Sequence, residues 1–488
     1  MMLCALTSVV AVLLFVAPAA SVRAAAPSKP NFIVINIDDL GYADIGPFGA
    51  TKQKTPNLDR MAAEGRKLMS HYAAPVCSPS CAALMTGCYP KRVLPIPGVL
   101  FPVGAVGLNP EEKTVAEYLK ELGYATACIG KWHLGDQPEF MPTNQGFDSY
   151  YGIPFSNDMG PAAEGSKSSF GEKLPKPKAA TAQESEGEVG RRGNAQPPLP
   201  LVENLKAVER VGAAEQATIT RRYTERAAKF VAEQKDKPFF LYLPHNAVHG
   251  PLYPAEAYRG RSQGGLRGDW IEEVDWSVGQ VLDAVLNAGI AERTLVIFTS
   301  DNGGPLGQNA SNAPYRGGKG TTLEGGMRTC TIAWWPGRIA PGTQTQEMTS
   351  MMDVLPTLVA LAGGAVDKER KLDGLDVSPL LVGAADARSP RQEFCFFHGF
   401  KLDAVRQGPW KLHLGDGALY HVNDDPAEKQ NVSSAHPDEV KRLEALAAAM
   451  AADLGAKNDL GPGVRKLGRV EKPKPWISVD GRFRDIEP

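Results

Sequence analysis

Apolar runs alternate with amphipathic segments along most of the chain. Residues 31–37 form an almost unbroken apolar run rich in β-branched side chains, which is typical of a strand that is covered on both faces. Similar runs predict three more strands, at 124–129, 237–243 and 294–299. Because predicted helices separate these strands, the pattern indicates an α/β fold: a large mixed, mostly parallel sheet sandwiched by helices.

Helix signals support this interpretation. Thr55-Pro56 predicts the start of a helix that Gly65 ends, and Thr114 with Glu117 has the form of a capping box. Longer helices are predicted at about 218–234 and 269–288. Pro79 suits the first position of a further helix, which places Cys77 at a helix N-terminus.

The pattern changes at two places. Residues 160–200 are rich in Ala, Gly, Ser, Pro, Lys and Glu, which indicates a surface insertion. From about residue 391, short strand-like segments separated by turns predict a small antiparallel sheet, followed by a helix at 438–453. We therefore predict a main α/β domain at 27–388 and a C-terminal α+β subdomain at 389–488.

Composition adds a location and excludes some partners. Residues 1–26 contain an apolar run followed by small residues, which predicts a signal peptide and a periplasmic or secreted protein without stable membrane insertion. The formal net charge of −2 over 488 residues favours no nucleic-acid partner. Six cysteines follow the signal, and a disulfide between Cys77 and either Cys81 or Cys88 stays open.

Polar clusters follow the ends of four predicted strands. Because ligands of open α/β sheets bind outside the carboxyl ends of the strands, we expect these clusters to meet at one edge. They are Asp38 and Asp39, Lys131 and His133, His245 and His249, and Asp301 and Asn302.

Four of these side chains are hard oxygen donors: Asp38, Asp39, Asp301 and Asn302. Such a set favours Ca²⁺ or Mg²⁺ over Zn²⁺. Taken singly, each has a structural explanation as a helix cap or a turn residue, and by composition alone Lys131 and Lys319 read as solvated lysines. Their common place at strand ends favours the metal site.

Two segments carry a family resemblance. Residues 75–87 contain Cys77-Ser-Pro-Ser-Cys81 before a short apolar run and Thr-Gly, and residues 123–133 read Gly-Tyr-Ala-Thr-Ala-Cys-Ile-Gly-Lys-Trp-His. The chain resembles the type I sulfatases of the alkaline phosphatase superfamily, and within them the arylsulfatase A and N-acetylgalactosamine-6-sulfatase branch. It matches the second signature in full but has Cys81 where the first has arginine. Further similar segments lie at 37–42, 153–159, 294–303, 317–326 and 424–428.

The resemblance implies a function. A formylglycine-generating enzyme would convert Cys77 to formylglycine, whose hydrate attacks the sulfate ester of a small molecule or glycan. The family pattern places Ca²⁺, rather than Mg²⁺, on Asp38, Asp39, Asp301 and Asn302, joined by the modified residue 77. The resemblance implies that Lys131 binds the hydrate and the anionic ester and that His133 is a base. It implies that His249 and Lys319 assist the departure of the alcohol. Asp158 and His245 are implied at the substrate, with His245 ranked behind His249.

Three functions remain open. The first is a sulfatase acting on aryl sulfates or sulfated sugars, and the second is a phosphonate or phosphodiester hydrolase of the same superfamily. The third is a catalytically impaired homologue that binds sulfated glycans, because Cys81 replaces the arginine. The sequence contains neither Gly-x-Ser-x-Gly nor His-Glu-x-x-His, so serine-hydrolase and zincin chemistry have no support.

Overall fold

A computed structural model describes residues 29–185, 187–383 and 386–486. The predicted signal peptide lies outside these residues. The strands are β1 Asn31–Ile37, β2 Arg66–Tyr72, β3 Val106–Gly107, β4 Ala125–Ile129, β5 Ser149–Gly152, β6 Pro200–Glu203, β7 Lys206–Arg210, β8 Phe239–His245, β9 Thr294–Ser300, β10 Arg328–Trp334, β11 Thr343–Ser350, β12 Glu393–His398, β13 Lys401–Gln407, β14 Trp410–His413, β15 Leu419–His421 and β16 Gly468–Arg469.

The helices lie between these strands and after them. They are α1 Pro56–Glu64, α2 Cys77–Thr86, α3 Pro90–Val93, α4 Val115–Glu121, α5 Ala182–Ser185, α6 Ala213–Glu233, α7 Gly265–Asn287, α8 Glu324–Met327, α9 Val354–Leu361, α10 Ser378–Val382 and α11 Pro437–Leu454.

Within the described ranges, the central sheet has ten strands in the order β11-β2-β10-β9-β1-β8-β4-β5-β6-β7. The run from β9 to β5 is parallel, whereas β10 pairs antiparallel with β9 and β2, and β6 pairs antiparallel with β5 and β7. This mixed sheet with helices on both faces confirms the predicted fold class. The antiparallel pairs at both margins were not predicted strand by strand.

The central strand β1 is buried along its whole length, and its side chains alternate between two cores. Phe32 and Val34 pack in the core that holds α2, α4, α9 and the C-terminal sheet. Ile33 and Ile35 pack in the core on the opposite face, together with α1, α6 and α7. Because successive side chains of a strand point to opposite faces, an unbroken apolar run is what a strand between two helical layers requires.

Helices α2, α6 and α7 each begin at least two residues earlier than predicted, and α7 begins at Gly265 rather than near residue 269. Helix α2 begins at Cys77, so Pro79 is its third residue rather than its first. Helix α6 begins at Ala213 rather than near residue 218, because the Gly212 backbone N–H donates to Glu215 Oε2 at 2.9 Å and closes a cap there. The predicted starts of α1 at Pro56 and of the Thr114 capping box before α4 are confirmed.

The C-terminal strands β12 to β15 form a separate antiparallel sheet, with α11 packed against β13 and β14. A buried ion pair joins this sheet to α8, because Lys411 Nζ lies 3.0 Å from Oε1 of Glu324, the first residue of that helix. Lys411 Nζ also lies 3.0 Å from Oε1 of Glu428, which follows β15. The boundary at residues 388 and 389 stays a prediction. Residues 171–180 of the predicted insertion are all exposed.

Neither α6 nor α7, nor any other helix of the described ranges, has the length and apolar character of a membrane span. The six cysteines after the predicted signal are all buried and free, so the disulfide left open by the sequence does not form between Cys77 and its neighbours.

Candidate active site

The candidate site lies at the carboxyl end of β1. Ile37 pairs with His245 of β8 on one side and with Ser300 of β9 on the other. The chain continues this pairing for one residue, because Asp38 N donates to Ala247 O at 2.9 Å and Asp301 N donates to Ile37 O at 3.0 Å. The strand register therefore brings the polar residues after three strands to one edge, as the sequence predicted.

Carboxylate oxygens of Asp38, Asp39 and Asp301 lie within 4.8 Å of one another. Asn302 joins them, since its Nδ2 donates to Asp39 Oδ1 at 2.8 Å. Two buried oxygens of this group, Asp38 Oδ1 and Asn302 Oδ1, have no hydrogen-bond partner among the described residues. Because buried polar atoms are normally paired, these orphaned oxygens fit a hard divalent cation.

Two lysines neutralise part of this charge. Lys131 Nζ donates to Asp38 Oδ2 at 2.5 Å, and Lys319 Nζ lies 2.8 Å from Asp39 Oδ1. Burial alone would raise the pKa of both carboxyls, but the facing ammonium groups outweigh it, so both pKa values lie below 3.8. The same pairing outweighs desolvation at Lys131 and holds its pKa well above 10.5.

Asp38 and Asp39 each form an ion pair with a lysine, whereas Asp301 forms none with any of the described residues. Burial, followed by the negative charge of Asp38, raises its pKa well above 3.8. The Lys131 and Lys319 charges lower this pKa but do not compensate. A bound divalent cation would reverse the effect, because the charge of the ion favours the ionised carboxylate.

Cys77 is the first residue of α2 and is 2% exposed. Its sulfur lies within 4.8 Å of ligand atoms of Asp38 and His249. Burial raises the pKa of the thiol well above 9.0 although Lys131 and Lys319 lower it. Cys77 therefore lies in the cluster, at a helix start whose free N–H groups favour negative charge.

Cys81 follows one helical turn later and is also buried. The Tyr242 hydroxyl donates to its sulfur at 3.9 Å, and burial together with the Asp301 charge raises the thiol pKa to about 12. Cys81 thus brings a neutral group to the neighbourhood of Asp301, where an arginine would bring a positive charge.

His133 has a defined tautomer. Its Nε2 lies 2.9 Å from Leu100 O, which accepts only, so Nε2 carries the proton and the buried Nδ1 keeps a free lone pair. Burial, followed by the charge of Lys131, holds the pKa of the ring well below 6.5. His133 is consequently a neutral imidazole with one unused acceptor.

His249 is oriented by its own loop. Its Nδ1 lies 2.6 Å from the Gly250 carbonyl oxygen and 3.3 Å from Ser156 Oγ. The carbonyl accepts only, so Nδ1 carries a proton and Nε2 faces the cluster, 3.7 Å from Asp39 Oδ2. The geometry brings His249 to the carboxylates of Asp38 and Asp39 and to the thiol of Cys77.

His245 and Asp158 have different surroundings. His245 Nε2 lies 3.2 Å from Ser277 Oγ of α7, and its ring packs 6.0 Å from the ring of Tyr223 on α6, which is a core position. Asp158 accepts from Lys167 through its backbone carbonyl, and its buried Oδ1 has no partner. Their contacts give no link to the carboxylate group, and a role for either at the substrate stays a prediction.

The sequence did not single out Arg267, which holds the backbone of the site. This buried guanidinium donates to the Asp39 carbonyl, to Asp44 Oδ2 at 3.0 Å and to Val248 O at 3.3 Å. It thereby ties the loop after β1 to the loop after β8. Its position inside α7 gave no signal in the sequence, whereas Asp44 could have been found from its closeness to Asp38 and Asp39.

A second unpredicted contact joins the lysine loop to the cysteine segment. Gly320 N donates to Pro75 O at 2.8 Å, and Lys319 N donates to Gly304 O at 3.3 Å. The loop that carries Lys319 is therefore bound both to the segment before Cys77 and to the turn after Asn302.

Three carboxylates that could hold a metal ion lie with two lysines, two histidines and a thiol at the carboxyl edge of an α/β sheet, an arrangement that fits a hydrolase for an anionic ester. Comparisons with known proteins agree. Residues 30–365 match the family model described as Sulfatase. Human arylsulfatase A is 37% identical over 94% of this chain and 94% of its own length, and canine N-acetylgalactosamine-6-sulfatase is 39% identical over 82% and 75%. The crystal structure of Ps i-CgsB in complex with k-i-k-neocarrahexaose is 30% identical, with a TM-score of 0.72 over 87% of this chain and 93% of that one.

The chain belongs to the sulfatase family and is a sulfuric ester hydrolase. The resemblance found in the sequence is thereby confirmed.

Proposed function

We propose that the protein hydrolyses sulfate monoesters of an aryl alcohol or a sugar, using formylglycine made from Cys77 and a Ca²⁺ ion. The observation that carries this proposal is that Asp38 belongs to two groups at once: one with Asp39 and Asp301, and one with Cys77 and His249. A metal held by the first group would therefore lie beside residue 77.

The residues fit a divalent cation and a formylglycine hydrate. Asp38, Asp39, Asp301 and Asn302 would hold Ca²⁺, in preference to Mg²⁺, because they offer carboxylate and amide oxygens in a group that retains orphaned acceptors. When present, the hydrated aldehyde at position 77 supplies the nucleophilic oxygen, and the ion lowers the pKa of that oxygen and orients the sulfate. A converting enzyme of the formylglycine-generating type would be a required partner.

The chain's own residues account for binding and proton transfer. Lys131 and Lys319 present ammonium groups whose raised pKa values keep them charged, so they stabilise the negative charge of the ester and of the transition state. His133 accepts a proton at Nδ1, because its Nε2 proton is held by Leu100 O. His249 acts on the leaving alcohol through Nε2, with Asp39 beside it and Gly250 O fixing the ring.

Relatives support the proposed substrate class, and the N-terminus supports the proposed location. Canine N-acetylgalactosamine-6-sulfatase is named for a sulfated sugar, and Ps i-CgsB was crystallised with an oligosaccharide, which supports a glycan substrate here. We infer a periplasmic or secreted protein from residues 1–26. Asp158 and His245 remain candidates for substrate contacts.

The test is the mass of the Cys77 peptide in protein made with and without a formylglycine-generating enzyme. Conversion of the thiol to the aldehyde lowers the mass by about 18 Da. Rates on 4-nitrophenyl sulfate and on a phosphodiester analogue, compared with Cys77→Ser, then separate the sulfatase from the phosphonate or phosphodiester hydrolase. An unchanged mass with no turnover would overturn the proposal in favour of the impaired glycan-binding homologue.

A further inference from the structure

Cys77 belongs to a second group of ligand atoms that differs in chemistry from the carboxylates. One carboxylate oxygen of Asp38, the sulfur of Cys77 and a ring nitrogen of His249 lie within 4.8 Å of one another. Asp38 and Cys77 are buried, and the side chain of His249 is 12% exposed. Tetrahedral ligands at their usual distances from Zn²⁺ lie about 3.3–3.8 Å apart, so a small closure of the side chains brings this group to a zinc ion.

Two of these ligands are already oriented for a metal. Asp38 Oδ2 accepts from Lys131, whereas the buried Asp38 Oδ1 has no hydrogen-bond partner in the part of the chain that the structure describes. His249 Nδ1 donates to Gly250 O, so Nε2 is the ring nitrogen that faces the cluster. A metal-binding histidine whose other nitrogen donates to a backbone carbonyl is the usual arrangement in zinc sites.

We propose that the protein in which Cys77 is still a thiol binds one Zn²⁺ through Asp38, Cys77 and His249. Carboxylate, thiolate and imidazole together favour Zn²⁺ over Ca²⁺, because sulfur and nitrogen are poor ligands for a hard ion. Three protein ligands would leave the fourth position of a tetrahedral ion to water.

The binding step balances without an oxidant. A zinc–sulfur bond forms while the S–H bond breaks, the thiol proton passes to solvent, and no electron changes hands. Conversion of Cys77 to formylglycine removes the sulfur, which is the softest ligand of the group. Residue 77 therefore selects the ion: Zn²⁺ in chains that escape conversion, and a hard cation in converted chains.

The experiment uses the full chain made by cell-free translation without a converting enzyme, with the intact thiol verified by mass. The metal-free protein is titrated with Co²⁺ as a spectroscopic probe, and Zn²⁺ affinity is measured against a chromophoric chelator. We expect one equivalent of metal, a thiolate-to-cobalt charge-transfer band in the near ultraviolet, and displacement of Co²⁺ by Zn²⁺.

Variants locate the site. Cys77→Ser should abolish the band, and both Cys77→Ser and His249→Gln should weaken Zn²⁺ binding at least tenfold, with circular dichroism confirming that each is folded. Cys81→Ser is the matched control, because this thiol lies one turn along the same helix, and it should keep both the band and the affinity.

Absence of the band in the thiol form, its persistence in Cys77→Ser, or its loss in Cys81→Ser would each overturn the proposal. These outcomes are independent of the proposed function, which is tested on converted protein by the 18 Da mass loss and by turnover.

Discussion

The Lys131 ammonium lies 2.5 Å from Asp38 Oδ2, and both side chains are almost completely buried. The other oxygen of the same carboxylate has no hydrogen-bond partner. One oxygen of Asp38 is thus held by the protein while the other remains available, which is what a ligand of an exchangeable cation needs.

Removing this lysine should destabilise the fold. We expect Lys131→Met to lower the free energy of unfolding by about 3–5 kcal/mol at pH 7, because it leaves a buried carboxylate without its nearest cation. Urea unfolding in the presence of a chelator measures the effect. The lowered pKa of Asp38 means that the contribution of the pair is fully present above pH 3.8 and is lost as the pH falls through the folded-state pKa.

The double variant Lys131→Met with Asp38→Asn is the control for that experiment, and it should recover part of the loss. A loss of less than about 1 kcal/mol in the single variant would show that the pair behaves like an exposed ion pair.

Restoring a positive charge at position 81 should favour conversion of Cys77. We expect Cys81→Arg to raise the fraction of chains that have lost about 18 Da at the Cys77 peptide, and to raise turnover in proportion. In the folded site the guanidinium would face Asp301, whose pKa is raised in the present chain. Cys81→Met, which adds length without charge, is the matched control, and an equal rise in both variants would contradict a role for the charge.

Chelation should remove activity. We expect EGTA to abolish turnover of 4-nitrophenyl sulfate, Ca²⁺ to restore it, and Mg²⁺ to restore less, because Mg²⁺ demands a stricter octahedral geometry. Asp301→Asn should raise the Ca²⁺ concentration needed for half-maximal activity by about tenfold or more, since it removes one of three carboxylates. Asp236→Asn, at an exposed position, should leave that concentration unchanged.

Glu273 should make stability depend on pH. It is buried on α7, accepts from Ala255 N at 2.8 Å, and burial raises its pKa from 4.5 to about 7. Because the folded state holds this proton more tightly than the unfolded state, stability is lost as the pH rises from 4.5 and the loss levels off above 7. Glu273→Gln should remove that loss. Its free energy of unfolding, relative to that of the wild type, should therefore increase by about 3 kcal/mol between pH 4.5 and pH 8.

Chemical unfolding at pH 4.5, 6 and 8 checks the Glu273 prediction. Glu225→Gln, which removes an exposed carboxyl from α6, controls for the change of net charge. A difference between Glu273→Gln and wild type that does not grow with pH would show that the carboxyl is ionised in the folded protein.

The C-terminal sheet should affect catalysis through Lys411. This buried lysine contacts Glu324 and Glu428 and donates to Thr322 O at 2.9 Å, three residues after Lys319. We expect Lys411→Met to lower kcat by about tenfold or more with a smaller change in KM, because the loop that positions Lys319 loses its anchor. Lys401→Met, in the same sheet but 61% exposed, is the control, and equal effects in the two variants would contradict the anchoring role.

The central part of the fold could be predicted because its signal is local. The apolar run at 31–37 coincides with β1, and the polar residues after it meet those after β8 and β9, as parallel strands require. Strand β2 was missed because its polar residues are buried by distant partners: Arg66 Nε donates to Thr343 Oγ1, which lies on β11. No local pattern contains that information.

The sequence predicted the oxygen donors of the site but not the residues that hold them in position. Asp38, Asp39, Asp301 and Asn302 come together because each follows a strand. Arg267, which holds the Asp39 carbonyl, lies inside a helix where its spacing resembles that of any other charged residue. His245 also lies at the end of a strand, but its ring packs in the core between α6 and α7. The sequence did not reveal this orientation.

Strand β1 lies in the middle of the sheet with its side chains divided between two cores. The residues that follow β1 can become mobile only if β8 and β9 separate from it, and the free energy of that opening approaches the free energy of global unfolding. The active site is therefore about as stable as the fold itself. Any change of preferred ester must come from the peripheral loops, which can be exchanged without disturbing the chemistry beneath them.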